Sequence, residues 1–494
     1  MAAELRVADF PVFRRLLPVI ALIAQLAACA TNPVTGGSDL VLMSEAQEIS
    51  LGRKYSAEIT KEIPAYEDPA LARLVQTVGD KVAASSHRPD LIYRFTVLDT
   101  PTVNAFALPG GYIYITRGLL AYLNSEAELA AVLGHEIGHV TARHSVRQHS
   151  TATVAGILGT VVAAATGIQG ADTLTNLAGT AIVRGYGREH ELEADRLGAE
   201  YLAKSGYDPH GMLNVVGVLK NQEAFDKLVA EKEGREPSAY HGLFATHPDN
   251  DTRFQEVVRA AAGLHSGAAA TADRAAFLQA IAGLTFGERD EDGVVRKQHY
   301  YHKTLDFSLT FPDNWRIDNR ADRVLARSAD NDGLIQVTVT DLNKRITPAA
   351  FMSERLQLEN MQHGESFRVG DYAGYTAIAD GGTPYGERPV RYVVIFRDTR
   401  AWIIAGAAKE RRESRRYDAD ILATARSFHA LSAAERPLAT AHHLALIRTA
   451  PGSRYADLAK DSPLANFPEQ QLRLLNNQYP TGEPDAGSLL KIVR

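Results

Sequence analysis

The stretch Leu133-Gly134-His135-Glu136-Ile137-Gly138-His139 sets two imidazoles and one carboxylate at H-E-x-x-H spacing. Four residues make slightly more than one helical turn, so His135 and His139 project from one face and can offer two nitrogens to a single tetrahedral ion. Glu136 falls beside them, where its carboxylate can take a proton from a water acidified by the metal and hand it to a leaving amine. That chemistry is peptide hydrolysis without a covalent intermediate, on one Zn2+ per chain. A helix that happens to carry two histidines is the competing reading, and further ligands must decide.

Candidates for them stand downstream in Gly187-Arg188-Glu189-His190-Glu191-Leu192-Glu193-Ala194-Asp195. Glu191 and Asp195 are four apart on a helix that the pattern carries on to Tyr201. One carboxylate can bind the metal while the other accepts the free imidazole N–H of a ligand histidine and fixes its tautomer. On spacing alone Glu189 and Glu193 compete for the ligand role.

The elements that must position these groups follow from periodicity and capping. Ser125 with Glu128 forms a capping box ahead of Leu129, Val132, Leu133, Ile137 and Val140 at helical spacing, so the motif lies on a helix. Upstream, Ser44 and Gln47 open a helix through Leu51, Tyr55 and Ile59, and a second runs from Leu71 to Val82. Leu91 to Leu98 reads as a strand. Tyr112, Ile113, Tyr114, Ile115 and Thr116 read as another, close before the metal helix, and are expected to lie along the cleft and offer an edge for an extended substrate to join by strand addition. The alternative is an interior strand. From Gln148 to Ala171 there is no Asp, Glu, Lys or Arg, but its glycines and threonines fit a helical lid or a lipid- or partner-facing surface better than a membrane span.

The 494 residues suggest about three domains. A formal net charge of -6 supplies no basic field, which argues against nucleic acid as a partner. At the N-terminus, Arg14 and Arg15 precede the apolar run Leu16 to Ala24, which closes on Leu26-Ala27-Ala28-Cys29. The run is short for a bilayer span, and small residues before the cut suit a signal peptidase. Cys29, the single cysteine, cannot form an internal disulfide and is expected to carry lipid.

Taken together, His135-Glu136-Ile137-Gly138-His139, Glu191-Leu192-Glu193-Ala194-Asp195, Asn32-Pro33-Val34-Thr35-Gly36, Asn104-Ala105-Phe106-Ala107-Leu108-Pro109-Gly110-Gly111 and Thr246-His247-Pro248 with Arg253 resemble the gluzincin metallopeptidases. That family includes the CAAX prenyl endopeptidases and the HtpX membrane proteases, and the chain most resembles its periplasmic BepA-type branch. The resemblance implies Glu191 as the third zinc ligand. It also implies that His247 either closes the fourth zinc position or faces the reacting carbonyl with Arg253, whose fixed charge suits an oxyanion. The Cys29 segment resembles a bacterial lipoprotein signal, and Ala30 after it resembles lipoproteins sorted to the outer membrane.

The expected organisation is α+β: a signal peptide over 1–28, a mainly helical metallopeptidase domain with a small sheet over 29–262, a linker region over 263–299, and an α+β domain over 300–432. A small β-α-α-β module over 437–494 weakly resembles LysM modules, which implies peptidoglycan as a partner. The leading functional expectation is a periplasmic zinc endopeptidase, lipid-anchored to the outer membrane through Cys29, whose substrates are unfolded or misassembled envelope proteins. The alternative is a chaperone or cell-wall-binding scaffold with a latent or structural zinc site.

Overall fold

In the computed structural model, which describes residues 29–41, 43–150, 187–234 and 274–494, side-chain caps set where the helices begin. After the hairpin of β1 (Cys29–Thr31) and β2 (Ser38–Leu40), helix α1 (Glu45–Glu62) opens on a reciprocal capping box between Ser44 and Gln47. Helix α2 (Pro69–Ala83) opens on Asp68, whose carboxylate accepts from the Ala70 and Leu71 amides. Thr116 caps the short α3 (Arg117–Tyr122). Ser125 caps α4 (Glu126–Thr141), which carries the H-E-x-x-H residues. The expected box there is altered: Ser125 accepts from Glu128 N at 3.2 Å, but the Glu128 carboxylate reaches one residue further back, to Asn124 N at 2.6 Å. Helices α5 (Arg188–Lys204) and α6 (His210–Glu233) follow, the latter ended by Gly234 in the left-handed conformation at φ 64°.

Strands β3 (Arg94–Leu98), β4 (Ala105–Leu108) and β5 (Tyr112–Thr116) form a sheet in the order β3-β5-β4, parallel on one side of β5 and antiparallel on the other. This corrects the expectation for Tyr112, Ile113, Tyr114, Ile115 and Thr116. The strand is the middle one, its residues are all buried, and both its edges are already paired, so it has no edge to give a substrate. An unbroken run of apolar residues is what a strand buried on both faces requires. The edge strand of this sheet that packs against α4 is β4.

The described residues up to Leu284, together with Leu444–Arg494, form one compact unit, and Thr285–His443 form a second. Part of the expected linker is therefore structured: it holds α7 (Arg274–Ala280) in the first unit and β6 (Thr285–Phe286) and β7 (Val294–Arg296) in the second. The second unit adds β8 (His299–His302), β9 (Phe307–Thr310), β10 (Arg316–Arg320), β11 (Arg323–Arg327), β12 (Gly333–Asp341), α8 (Pro348–Glu354), β13 (Gln362–Val369), β14 (Tyr372–Thr383), β15 (Gly386–Arg397), β16 (Arg400–Ala408) and α9 (Asp418–Arg426). Seven of these strands make one antiparallel sheet, β10-β11-β12-β16-β15-β14-β13. Its edge strands β10 and β13 are polar along most of their length and lack the alternation that marks the inner strands. Phe307, Trp315, Trp402, Ile421 and Phe428 fill a core on one side, and Phe351 and Met352 of α8 belong to another cluster with Ala377 and Val394. Helix α8 stops at Glu354, and Gln357 and Asn360 take left-handed backbone just beyond it.

The C-terminal residues follow the order β17 (His442–Arg448), α10 (Tyr455–Leu458), α11 (Pro468–Leu475) and β18 (Leu489–Val493), with β17 and β18 antiparallel. They dock on the turn that launches α4. Lys491, fully buried, donates through Nζ to the carbonyls of Ala121 and Leu123, each at 2.7 Å, and the Asn124 side chain donates to Leu475 O at 3.2 Å. Burial pushes the Lys491 ammonium pKa down and the nearby Glu128 carboxyl up. Helix α7 ties in through Arg274, which donates to Leu489 O. The leader 1–28, residues 151–171 of the expected lid, His247 and Arg253 lie outside the described residues. Lys491→Met should lower the stability of the first unit by about 1–3 kcal/mol, because two buried carbonyls lose their donor. Urea unfolding followed by tryptophan-independent far-UV signal measures it, and an unchanged midpoint would mean that the docking contributes nothing.

Candidate metal centre

Helices α4 and α5 approach almost backbone to backbone. A Cβ on Gly138 would lie 3.0 Å from Ala194 O, and one on Gly198 would lie 3.0 Å from His135 N, so a side chain at either position would push the facing backbone away by a few tenths of an ångström. The close crossing turns Glu191 and Asp195 of α5 toward the two histidines of α4.

His135, His139 and Glu191 converge, and their ligand atoms all lie within 4.8 Å of one another. The two Nε2 atoms are 2.9 Å apart, and the Glu191 carboxylate oxygens lie 3.5 Å from His135 Nε2 and 3.5 Å from His139 Nε2. Ligand atoms on a tetrahedral zinc are roughly 3.3 Å apart when the bonds are about 2.0–2.1 Å, so the three separations bracket the geometry such an ion imposes. Two imidazole nitrogens and one carboxylate are also the donor set of a catalytic rather than a closed structural zinc. The set is withdrawn from solvent: Glu191 is 0%, Glu136 1% and His139 2% exposed.

Asp195 Oδ1 lies 2.8 Å from His135 Nδ1, on the opposite side of the ring from the Nε2 that meets His139 and Glu191. The alternatives for the third ligand separate in space: Glu189 is exposed, and Glu193 turns instead to His144. Glu136 is buried next to both histidine positions on α4.

Several residues around the centre have no spacing rule in the sequence. Helix α4 ends at Thr141, and left-handed backbone at Arg143, φ 55°, brings His144 back beneath His139, Nδ1 to Nδ1 at 2.8 Å. His144 Nε2 is 3.0 Å from Glu193 Oε2, and the His190 ring stacks on His144 at 4.3 Å between centroids. That hydrogen bond from His144 is the main cause holding the Glu193 carboxyl down at about 2, while burial lowers His144 and brings His190 to about 4. At the same end of α4, the buried Glu48 carboxylate takes hydrogen bonds from Arg88 at 2.9 Å and Arg143 at 3.1 Å, and Arg88 also reaches Val140 O. A buried carboxylate with two guanidinium partners fixes α1 to the end of the metal helix.

Fold and site together show the H-E-x-x-H arrangement of a zinc metallopeptidase, with Glu191 completing a group of three side chains that could hold a metal ion. Residues 69–261 match the family model described as Peptidase family M48. Among curated proteins, it is 29% identical over 235 residues to the "Beta-barrel assembly-enhancing protease" of Yersinia pestis, covering 45% of this chain and 46% of that one. The protein of the same name from Escherichia coli (strain K12) is 30% identical, over 46% of each chain. "Metalloprotease LoiP" from Escherichia coli (strain K12) is 27% identical over 44% of this chain and 81% of its own length. The chain thus spans about half the length of the first two relatives. No described helix is long and apolar enough to cross a membrane.

Asp195→Ala should weaken zinc binding roughly 10–100-fold, since His135 loses the acceptor that fixes its ring. Competition against a chromophoric chelator reads this directly, and an unaltered dissociation constant would remove Asp195 from the metal site.

Proposed function

We propose that the chain is a zinc-dependent endopeptidase of the bacterial envelope, anchored by lipid on Cys29, that cleaves unfolded or misassembled envelope proteins. The convergence of His135, His139 and Glu191 on one point, with Glu136 buried beside them, carries this reading. When bound there, zinc supplies a Lewis acid that polarises the scissile carbonyl and eases deprotonation of water. His135 and His139 present neutral Nε2 atoms to it, and Glu191 brings a compensating negative charge. Glu136 takes the proton from the attacking water and returns it to the departing amine, which needs a carboxylate that is close to the metal but not spent as a ligand. The dry surroundings strengthen each of these electrostatic effects.

The substrate class rests on relatives named as beta-barrel assembly-enhancing proteases. The address rests on the sequence, where the only cysteine stands directly after Leu26-Ala27-Ala28. Glu136→Gln should retain zinc and lose casein cleavage by about 10²–10⁴-fold, the usual contribution of a positioned general base. A variant that keeps zinc and still cleaves at the native rate would sink the mechanism and favour a scaffold. For the anchor, Cys29→Ala should abolish incorporation of labelled palmitate and shift the protein from the membrane pellet to the soluble fraction. Equal membrane recovery of both forms would refute lipid attachment at this residue.

A further inference from the structure

The two histidines are oriented by different means. His135 meets a carboxylate directly, through Asp195. His139 meets another imidazole, and the hydrogen bonds continue outward from it. With His139 Nε2 turned toward the metal, its proton sits on Nδ1 and is donated to His144 Nδ1 at 2.8 Å. His144 must then carry its own proton on Nε2, which is donated to Glu193 Oε2 at 3.0 Å. Glu193 is steadied by Arg147, whose Nη1 is 3.4 Å from the same oxygen and whose Nε is 3.7 Å from Asp39 Oδ2. Asp39 in turn accepts from Asn32 Nδ2 at 2.8 Å, while Asn32 Oδ1 accepts from the amides of Val34 and Thr35. The Asn32-Pro33-Val34-Thr35-Gly36 turn, which the proposed chemistry does not use, is thus the far end of a connected chain that begins at a metal ligand.

We propose that His144 and Glu193 are positioning residues of the metal centre: together they fix the tautomer and ring plane of His139, and the turn following Cys29 anchors this relay through Asp39 and Arg147. The inference rests on the zinc reading above. Its physical basis is that a neutral imidazole can bind a metal through one nitrogen only if the other has an acceptor, and that acceptor must itself be held in one tautomer. His144 has one arrangement that satisfies His139 and Glu193 at once. Because His144 is fully buried and stacked on His190, it has little freedom to turn away. Glu193 is only partly buried, with 18% of its side chain exposed, so substitution there perturbs packing far less than at His144.

The test measures zinc affinity in the full chain by chelator competition, together with the thermal midpoint of the metal-free protein and the visible absorption of the cobalt-substituted form. His144→Leu and Glu193→Ala are each expected to raise the zinc dissociation constant about 10–100-fold and to alter the cobalt bands. Glu193→Gln should recover most of the affinity, because its carbonyl oxygen still accepts from His144. The metal-free midpoint of Glu193→Ala should stay near that of the wild type. The relay is overturned if Glu193→Ala and His144→Leu bind zinc as tightly as the wild type, or if their loss is fully matched by unfolding of the metal-free protein. Wild-type protein that binds no zinc overturns both this proposal and the peptidase reading. Glu191→Ala that binds zinc normally overturns the peptidase reading's ligand set, and the relay then falls with it.

Discussion

The centre depends on how closely two helices can approach. Glu191 and Asp195 reach His135 and His139 because α4 and α5 cross where Gly138 and Gly198 leave no side chain between their backbones. Glycine in a helix costs roughly 1 kcal/mol against alanine. Here it accompanies a ligand set drawn from two closely packed helices.

A second constraint is desolvation. The centre gathers imidazoles and carboxylates in a region with almost no solvent exposure, where an uncompensated charge would be costly. Several of these groups face an opposite charge or a hydrogen-bond partner: Asp195 faces His135, Glu193 meets His144 and Arg147, and Glu48 meets Arg88 and Arg143. These pairs also act as struts. Glu48 joins α1 to the end of α4, and Glu193 joins α5 to the turn beyond it, so the same contacts that satisfy charge hold the helix ends in register.

The far end of α4 is held differently. Its N-terminal turn is locked by the C-terminal segment through Lys491 and Asn124, whose partners are main-chain carbonyls rather than charged side chains. Residues Leu444–Arg494 are part of the unit that carries the candidate metal centre. The intervening residues Thr285–His443 build their own sheet and cores.

By itself the sequence determined what local rules govern. Helical spacing put His135, Glu136 and His139 on one helix, and capping residues marked the starts of α1 and α4. Fold class followed from the same patterns, since the observed mixture of helices and separate sheets is α+β. Tertiary structure alone decided which partners lie across space. Spacing left Glu189, Glu191 and Glu193 equivalent, and the helix crossing separates them by placing Glu191 at the histidines, Glu193 at His144 and Glu189 in solvent. Tyr112–Thr116 looked able to take a substrate strand because a strand's own residues do not say whether its neighbours are already paired; β3 and β4 occupy both sides. His144 and Lys491 were silent for the same reason. Their roles are hydrogen bonds to residues brought near by a turn or by the far end of the chain, and no periodicity encodes a contact whose partner is set by folding.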